Sequence, residues 1–146
     1  MIRQASIADL PLVKSISSEA YAAYEPLLGG LPLPALEDYA PRIGARQVWI
    51  MDADGLLVLE THDAHTLVYS VAVHPASHGQ GIGRQLLTHA ETVTRGAGLA
   101  EVRLYTNALM DRNIAIYTGY GYVETGRRPH PDRPSFTIVD MVKRLA

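Results

Sequence analysis

A chain of 146 residues is sized for one domain with a substantial core, and 13 Lys and Arg against 15 Asp and Glu leave a formal charge of −2. That balance lacks the basic excess of a polyanion binder, so nucleic acid is not an expected partner, and the absence of cysteine excludes disulfides, thiolate nucleophiles, zinc fingers and iron–sulfur clusters. No run of about 18 apolar residues occurs and Met1-Ile2-Arg3-Gln4 leads into none, so the expectation is a soluble, cytoplasmic protein with no membrane partner.

In chain order, Ile2 to Ala5 predicts a short strand and Ser6 the N-cap of a helix, with Asp9 in its first turn. Leu10, Val13, Ile16, Ala20, Tyr21 and Tyr24 recur at helical spacing until Gly29-Gly30. Leu31-Pro32-Leu33-Pro34 reads as extended, and Leu36, Tyr39 and Ile43 as a short second helix against which Pro41 argues. Gln47 to Met51 and Leu56 to Glu60 form a hairpin about the turn residues 52–55, and His62 to His65 a second, polar turn.

Leu67 to Val73 is almost continuously apolar, the pattern of a central strand covered on both faces, and His74-Pro75 stops it. From Ile82 a stripe of Leu86, Leu87, Ala90, Val93 and Ala97 predicts a helix, with Arg84, Gln85, Thr88, Glu91, Thr92 and Arg95 on its polar side and Gly96 and Gly98 at its end. Glu101 to Thr106 alternates as a half-buried strand, and Met110 to Thr118 reads as a helix. Strands at Tyr122 to Arg127 and Ser135 to Lys143 flank a turn-rich Arg128 to Pro134. The order is β-α-α-β-β-β-α-β-α-β-β, an α/β or α+β domain around one mixed sheet.

The chemistry-bearing stretch is His78-Gly79-Gln80-Gly81-Ile82-Gly83-Arg84, between the best strand and the best helix. Glycines at alternate positions let several N–H groups converge, and the helix N-terminus behind them adds partial positive charge, so phosphate is the natural ligand. A tight turn with no ligand would collect glycines for steric reasons alone. A Walker A loop is excluded because no Gly-Lys pair exists, and G-x-G-x-x-G fails because Arg84 or Leu86 falls where its third glycine belongs. His62 with His65 and His74 with His78 have metal-ligand spacing but no further ligand cluster, so no metal is expected. Arg127, Arg128 and Arg133 read as a solvated loop.

His78 to Gly83 resembles the acyl-CoA-binding motif [Q/R]-x-x-G-x-[G/A] of the GNAT acetyltransferase superfamily, with His in place of Gln or Arg. Val71-Ala72-Val73-His74-Pro75 before it, the helix after it, and Asn113-Ile114-Ala115-Ile116-Tyr117 leading to Gly121-Tyr122 extend the likeness along residues 1–146. The resemblance implies a single GNAT-like domain with a mostly antiparallel sheet flanked by helices, binding acetyl-CoA as co-substrate. Main-chain N–H groups of Val71, Ala72 and Val73 and of His78, Gly79, Gln80, Gly81, Ile82, Gly83 and Arg84 would hold it, and Tyr117 would be the general acid. The family's asparagine matches Asn107, ten rather than seven residues before Tyr117, or else Asn113.

A glutamate common on the fourth strand of relatives is replaced here by Tyr69 and Ser70, leaving Glu60, His62, His65, His74 or water as base. Residues Tyr21 to Tyr39, with Tyr24, Glu25, Asp38 and Tyr39, lie where relatives shape an acceptor pocket. The implied reaction is acetyl transfer to a primary amine of a small molecule by direct attack in a ternary complex. A protein N-terminus or lysine is the competing acceptor, a non-catalytic acyl-CoA-binding module the competing class, and a homodimer the family's common assembly.

Overall fold

In the computed structural model, which describes residues 1–30 and 32–145, the strand-forming segments assemble into one sheet. Its strands are β1 (Ile2–Gln4), β2 (Val48–Met51), β3 (Gly55–Thr61), β4 (Thr66–Val73), β5 (Glu101–Asn107), β6 (Val123–Pro129) and β7 (Thr137–Arg144), in spatial order β1-β2-β3-β4-β5-β7-β6. Every neighbouring pair is antiparallel except β4 and β5. This is the expected mixed, mostly antiparallel sheet. Strand β6 runs two residues further than expected, so Arg127 and Arg128 belong to an exposed edge strand rather than a loop, where they pair with Glu124 and Asp140. Charged side chains on such an edge discourage pairing with another chain.

Between β1 and β2 the chain is more finely divided than its sequence suggests. A single 3-10 turn, Ile7–Asp9, precedes α1 (Leu10–Ala22), because Asp9 accepts the Ser6 N–H at 2.8 Å and defers the α-helix. Then come α2 (Glu25–Leu28), α3 (Leu33–Leu36) and α4 (Ala40–Gly44). Pro11, Pro26, Pro34 and Pro41 each occupy the second residue of one of these helices. In a first turn the missing N–H has no intrahelical partner to lose, so proline starts these helices rather than breaking them. Pro34 is therefore helical, not extended. Gly29, at φ +71°, ends α2 in the left-handed conformation; Leu31 lies outside the described residues.

Two apolar layers cover the sheet. Leu56 and Val58 of β3 face Val13, Ile16 and Ile43, whereas Leu57 and Leu59 face the layer containing Leu86 and Ala90 of α5 (Ile82–Gly96). Alternation along a strand buried on both faces produces this division. At Gly55 an added Cβ would sit 2.8 Å from Ile82 Cγ2, so glycine lets the start of α5 lie against β3. Glu91, expected on the polar side of α5, is buried and takes Lys143 Nζ at 3.1 Å; charge pairing, not the helical stripe, decides its place. The last helix is α6 (Asp111–Gly119).

The register carries the feature that shapes the site. Val58 pairs with Ser70 but Leu59 with Val68, so Tyr69 is an extra residue in β4, a bulge. On the other edge, β4 pairs with β5 only from Thr66 to Val68 against Val102 to Leu104. Beyond the bulge the two parallel strands part, and β5 continues along β7 to Asn107. The edge of β4 that faces β5 is thus unpaired from Tyr69 to Val73.

His89 on α5 packs edge-on against Trp49, with ring centroids 4.4 Å apart, and its Nε2 is buried with no hydrogen-bond partner among the described residues. Burial lowers its pKa from the ordinary 6.5. The unfolded chain therefore binds more protons than the folded one as pH falls through 6.5, and stability must fall with it. Melting temperature measured from pH 8 to pH 5 is expected to drop less steeply in His89→Phe than in the wild type; parallel curves would remove His89 as a source of acid sensitivity.

Candidate active site

The glycine-rich turn leaves β4 through a 3-10 turn, Pro75–Ser77, anchored from below: Ser77 Oγ donates to Asp54 at 2.7 Å and the His74 N–H to the Asp54 carbonyl at 2.7 Å. The His78 ring sits 3.1 Å from the Val73 carbonyl, tying the start of the turn to the end of β4. Gly79 and Gly81 adopt φ +81° and +76°, with no heavy atom within 4 Å of where a Cβ would lie. Backbone conformation, not crowding, demands glycine there. Among the described residues, no group accepts from the N–H groups of Gly79 to Arg84; the first to bond is Gln85, to the Gly81 carbonyl at 3.1 Å. Free N–H groups at a helix start, with its dipole behind them, favour negative charge.

These N–H groups open into a groove of about 260 Å³. Val71, Ala72, Val73, His78, Gly79, Gly81, Ile82, Gly83, Arg84, Asn113 and Tyr117 line it; Gln80 does not. A second cavity, of about 540 Å³, fills the opening between β4 and β5 and is lined by residues 68–71 and 104–107. Tyr21, Val71, Asn113 and Tyr117 line both, so the two spaces meet across one wall. Asn107 lies only in the larger cavity, where its Oδ1 accepts the Leu109 N–H at 2.9 Å. Asn113 Oδ1 accepts from the Tyr24 hydroxyl at 3.1 Å.

Tyr117 is held from behind. The Tyr122 N–H returns to the Tyr117 carbonyl at 3.0 Å, Gly121 at φ +104° makes the reversal, and the two rings pack edge to face at 6.0 Å. Among the described residues nothing bonds the Tyr117 hydroxyl. Burial, with a smaller effect of Tyr24, raises its pKa well above 10.0, so the phenol keeps its proton. Tyr21, 2.7 Å from Ser70 Oγ, is raised likewise, chiefly by burial.

The four candidate bases line neither cavity. Glu60 is bound by Arg42 at 2.8 Å and faces His62, His62 stacks on His65 at the remote end of the β3–β4 hairpin, and His74 pairs with Glu19. Of the expected acceptor-pocket residues, Tyr39 is buried with its hydroxyl on the Pro34 carbonyl, Asp38 bonds the Ala40 N–H, and Glu25 lines neither space. Glu37, not singled out by the sequence, lines the larger cavity beside Tyr69. Among the described residues no cluster of His, Asp and Glu has metal-binding geometry, and no helix is long and apolar enough to cross a membrane.

Residues 44–124, more than half of the chain, match the sequence profile of the acetyltransferase (GNAT) domain. The chain belongs to the GNAT acetyltransferase family. It is 32% identical over 72 residues to the IAA acetyltransferase of Azospirillum brasilense, covering 49% of this chain and 47% of that protein. Over 120 residues it is 31% identical to the mycothiol acetyltransferase of Beutenbergia cavernae, covering 74% of this chain and 39% of that protein. This GNAT chain thus spans less than half the length of these curated relatives. The crystal structure of PaiA N-acetyltransferase from Thermoplasma acidophilum in complex with coenzyme A superposes with a TM-score of 0.79 at 18% identity, covering 99% of this chain and 98% of that one, a likeness of fold.

Proposed function

We propose that this GNAT domain, taken as residues 1–146, moves the acetyl group of acetyl-CoA to a primary amine of a small molecule. The free N–H groups from Gly79 to Arg84 carry the reading: they present a positive, preorganised concavity to a diphosphate, with Arg84 at its rim. Acetyl-CoA supplies the acetyl group as a thioester. The unpaired edge of β4 about Val71 to Val73 offers N–H donors to the oxygen that gains charge; loss of one such donor typically costs about 10²–10³ in rate. Tyr117, on the wall shared by both cavities, is positioned to give the leaving sulfur its proton.

The larger cavity favours a small molecule over a protein as acceptor. It is a concave space within the usual range of small-molecule sites, roughly 300–1,000 Å³, bordered by Leu28 and residues 32–37 on one side and by residues 128–136 on the other. Acetyl-CoA at about 100 times its dissociation constant is expected to stabilise the fold by about 2.7 kcal/mol, raising Tm by roughly 5–10 °C. Thiol release over a panel of amines then separates an enzyme from a binding module. No rise in Tm at saturating acetyl-CoA would sink the reading.

A further inference from the structure

The reaction proposed above lacks a group to receive the acceptor's proton, and the bulge in β4 supplies one. An alkylamine is mostly ammonium at neutral pH, with a lysine-like pKa of about 10.4, and cannot attack until it is deprotonated. Because Tyr69 is the extra residue of the bulge, it and Ser70 both meet the helical segment rather than pointing to opposite sides of the sheet. Ser70 meets Tyr21, and the Tyr69 hydroxyl donates to Glu37 Oε2 at 3.0 Å. Arg42 fixes the same carboxylate through Oε1 at 3.0 Å, holds Glu60 at 2.8 Å, and lays its guanidinium 3.8 Å from the centre of the Tyr69 ring. Two carboxylates share the Arg42 guanidinium, Glu37 from inside the cavity and Glu60 from outside it, so Arg42 does not neutralise Glu37 alone.

Resting on that reading of the site, we infer that Glu37, acting with Tyr69, receives the ammonium of an apolar primary alkylamine and takes its proton. Among the described residues each carboxylate oxygen of Glu37 has one hydrogen-bond partner and a lone pair to spare. Glu37 and Tyr69 both line the larger cavity, and Tyr69 stands two residues along β4 from Val71, about 7 Å from the wall that Tyr117 shares. The step is R–NH3⁺ plus carboxylate giving R–NH2 plus carboxylic acid. The proton passes to Glu37 directly, or Tyr69 accepts it on oxygen while handing its own to Glu37. The body of the acceptor meets Leu28, Leu33, Leu36, Met110, Phe136 and Ile138. Arg128, which also lines the cavity, has its charge held by Asp140 through two hydrogen bonds of 2.8 and 3.1 Å.

The test uses 2-phenylethylamine as acceptor and 2-phenylethanol as an uncharged ligand of similar shape, with the full chain and its Glu37→Gln variant. Glu37→Gln is expected to lower kcat/KM for 2-phenylethylamine about 10²-fold, while the affinity for 2-phenylethanol, measured by calorimetry on the CoA-bound protein, and the Tm rise with acetyl-CoA stay as in the wild type. Tyr69→Phe shifts kcat/KM in the same direction by a smaller factor. Unchanged kcat/KM in Glu37→Gln overturns the inference. So does an equal loss of 2-phenylethanol affinity, which would make Glu37 a structural residue. So does wild-type protein that shows the acetyl-CoA shift but releases no thiol with 2-phenylethylamine. Absence of the shift itself would instead remove the acetyl-CoA site on which the inference stands.

Discussion

Tyr117→Phe is expected to bind acetyl-CoA within about threefold of the wild type and to lose about 10²–10⁴ in kcat, the usual range for a positioned proton donor. The substitution removes one oxygen and leaves the ring, so the edge-to-face contact with Tyr122 and the return of the Tyr122 N–H to the residue 117 carbonyl persist. The remaining question is whether a phenol whose pKa burial has raised can serve a thiolate, whose model value is about 8.5. The same burial disfavours a thiolate in that space and raises the sulfur's proton affinity in parallel. A phenol that never ionises at neutral pH also keeps a donor aimed at the sulfur throughout turnover. The measurement is kcat at saturating amine, read by thiol release. Unchanged turnover would take Tyr117 out of the chemistry, and a loss of the acetyl-CoA Tm shift would show a binding defect instead.

Legibility in the sequence followed the range of the interactions that set each feature. Strand β4 and helix α5 are visible because an unbroken apolar run and a 3.6-residue stripe are local patterns. The glycine turn is visible for the same reason, since φ values of +81° and +76° at Gly79 and Gly81 are local demands. Between Tyr24 and Gly44 the sequence reads as the end of the first helix up to Gly29-Gly30, an extended stretch over 31–34 and one short helix through Leu36, Tyr39 and Ile43; the structure differs. The apolar residues there serve three one-turn helices whose signal was X-Pro at each start, with Pro26, Pro34 and Pro41 at the second positions. The bulge at Tyr69 is set by pairing with β3, and nothing in Leu67 to Val73 announces it. Glu37 was invisible because Tyr69, which gives it a place in the cavity, lies 32 residues away. Asn107 and Asn113 show the same limit from the other side: their spacing from Tyr117 was readable, but which cavity each enters depends on where β5 departs from β4.

Charge placed in the glycine turn tests the anion site most directly, and two glycines separate its causes. At Gly81, in the left-handed conformation, any side chain carries a backbone penalty of about 1–2 kcal/mol, although space for it is open. Gly81→Ala is therefore expected to lower stability by that amount and to weaken acetyl-CoA binding, and Gly81→Glu to add a negative charge beside the N–H groups and abolish the Tm shift. Gly83 has an ordinary φ, and its added Cβ would meet only Val73 Cγ2 at 3.7 Å, a normal contact. Gly83→Glu should keep the free protein within about 0.5 kcal/mol of wild-type stability, so a loss of the acetyl-CoA shift there reports the bulk and repulsive charge that the side chain brings into the groove, not unfolding. Each phosphate of the diphosphate carries one negative charge, and a carboxylate within a Debye length of about 8 Å opposes it. Gly83→Glu that still shows the full Tm rise would mean that the diphosphate is held elsewhere.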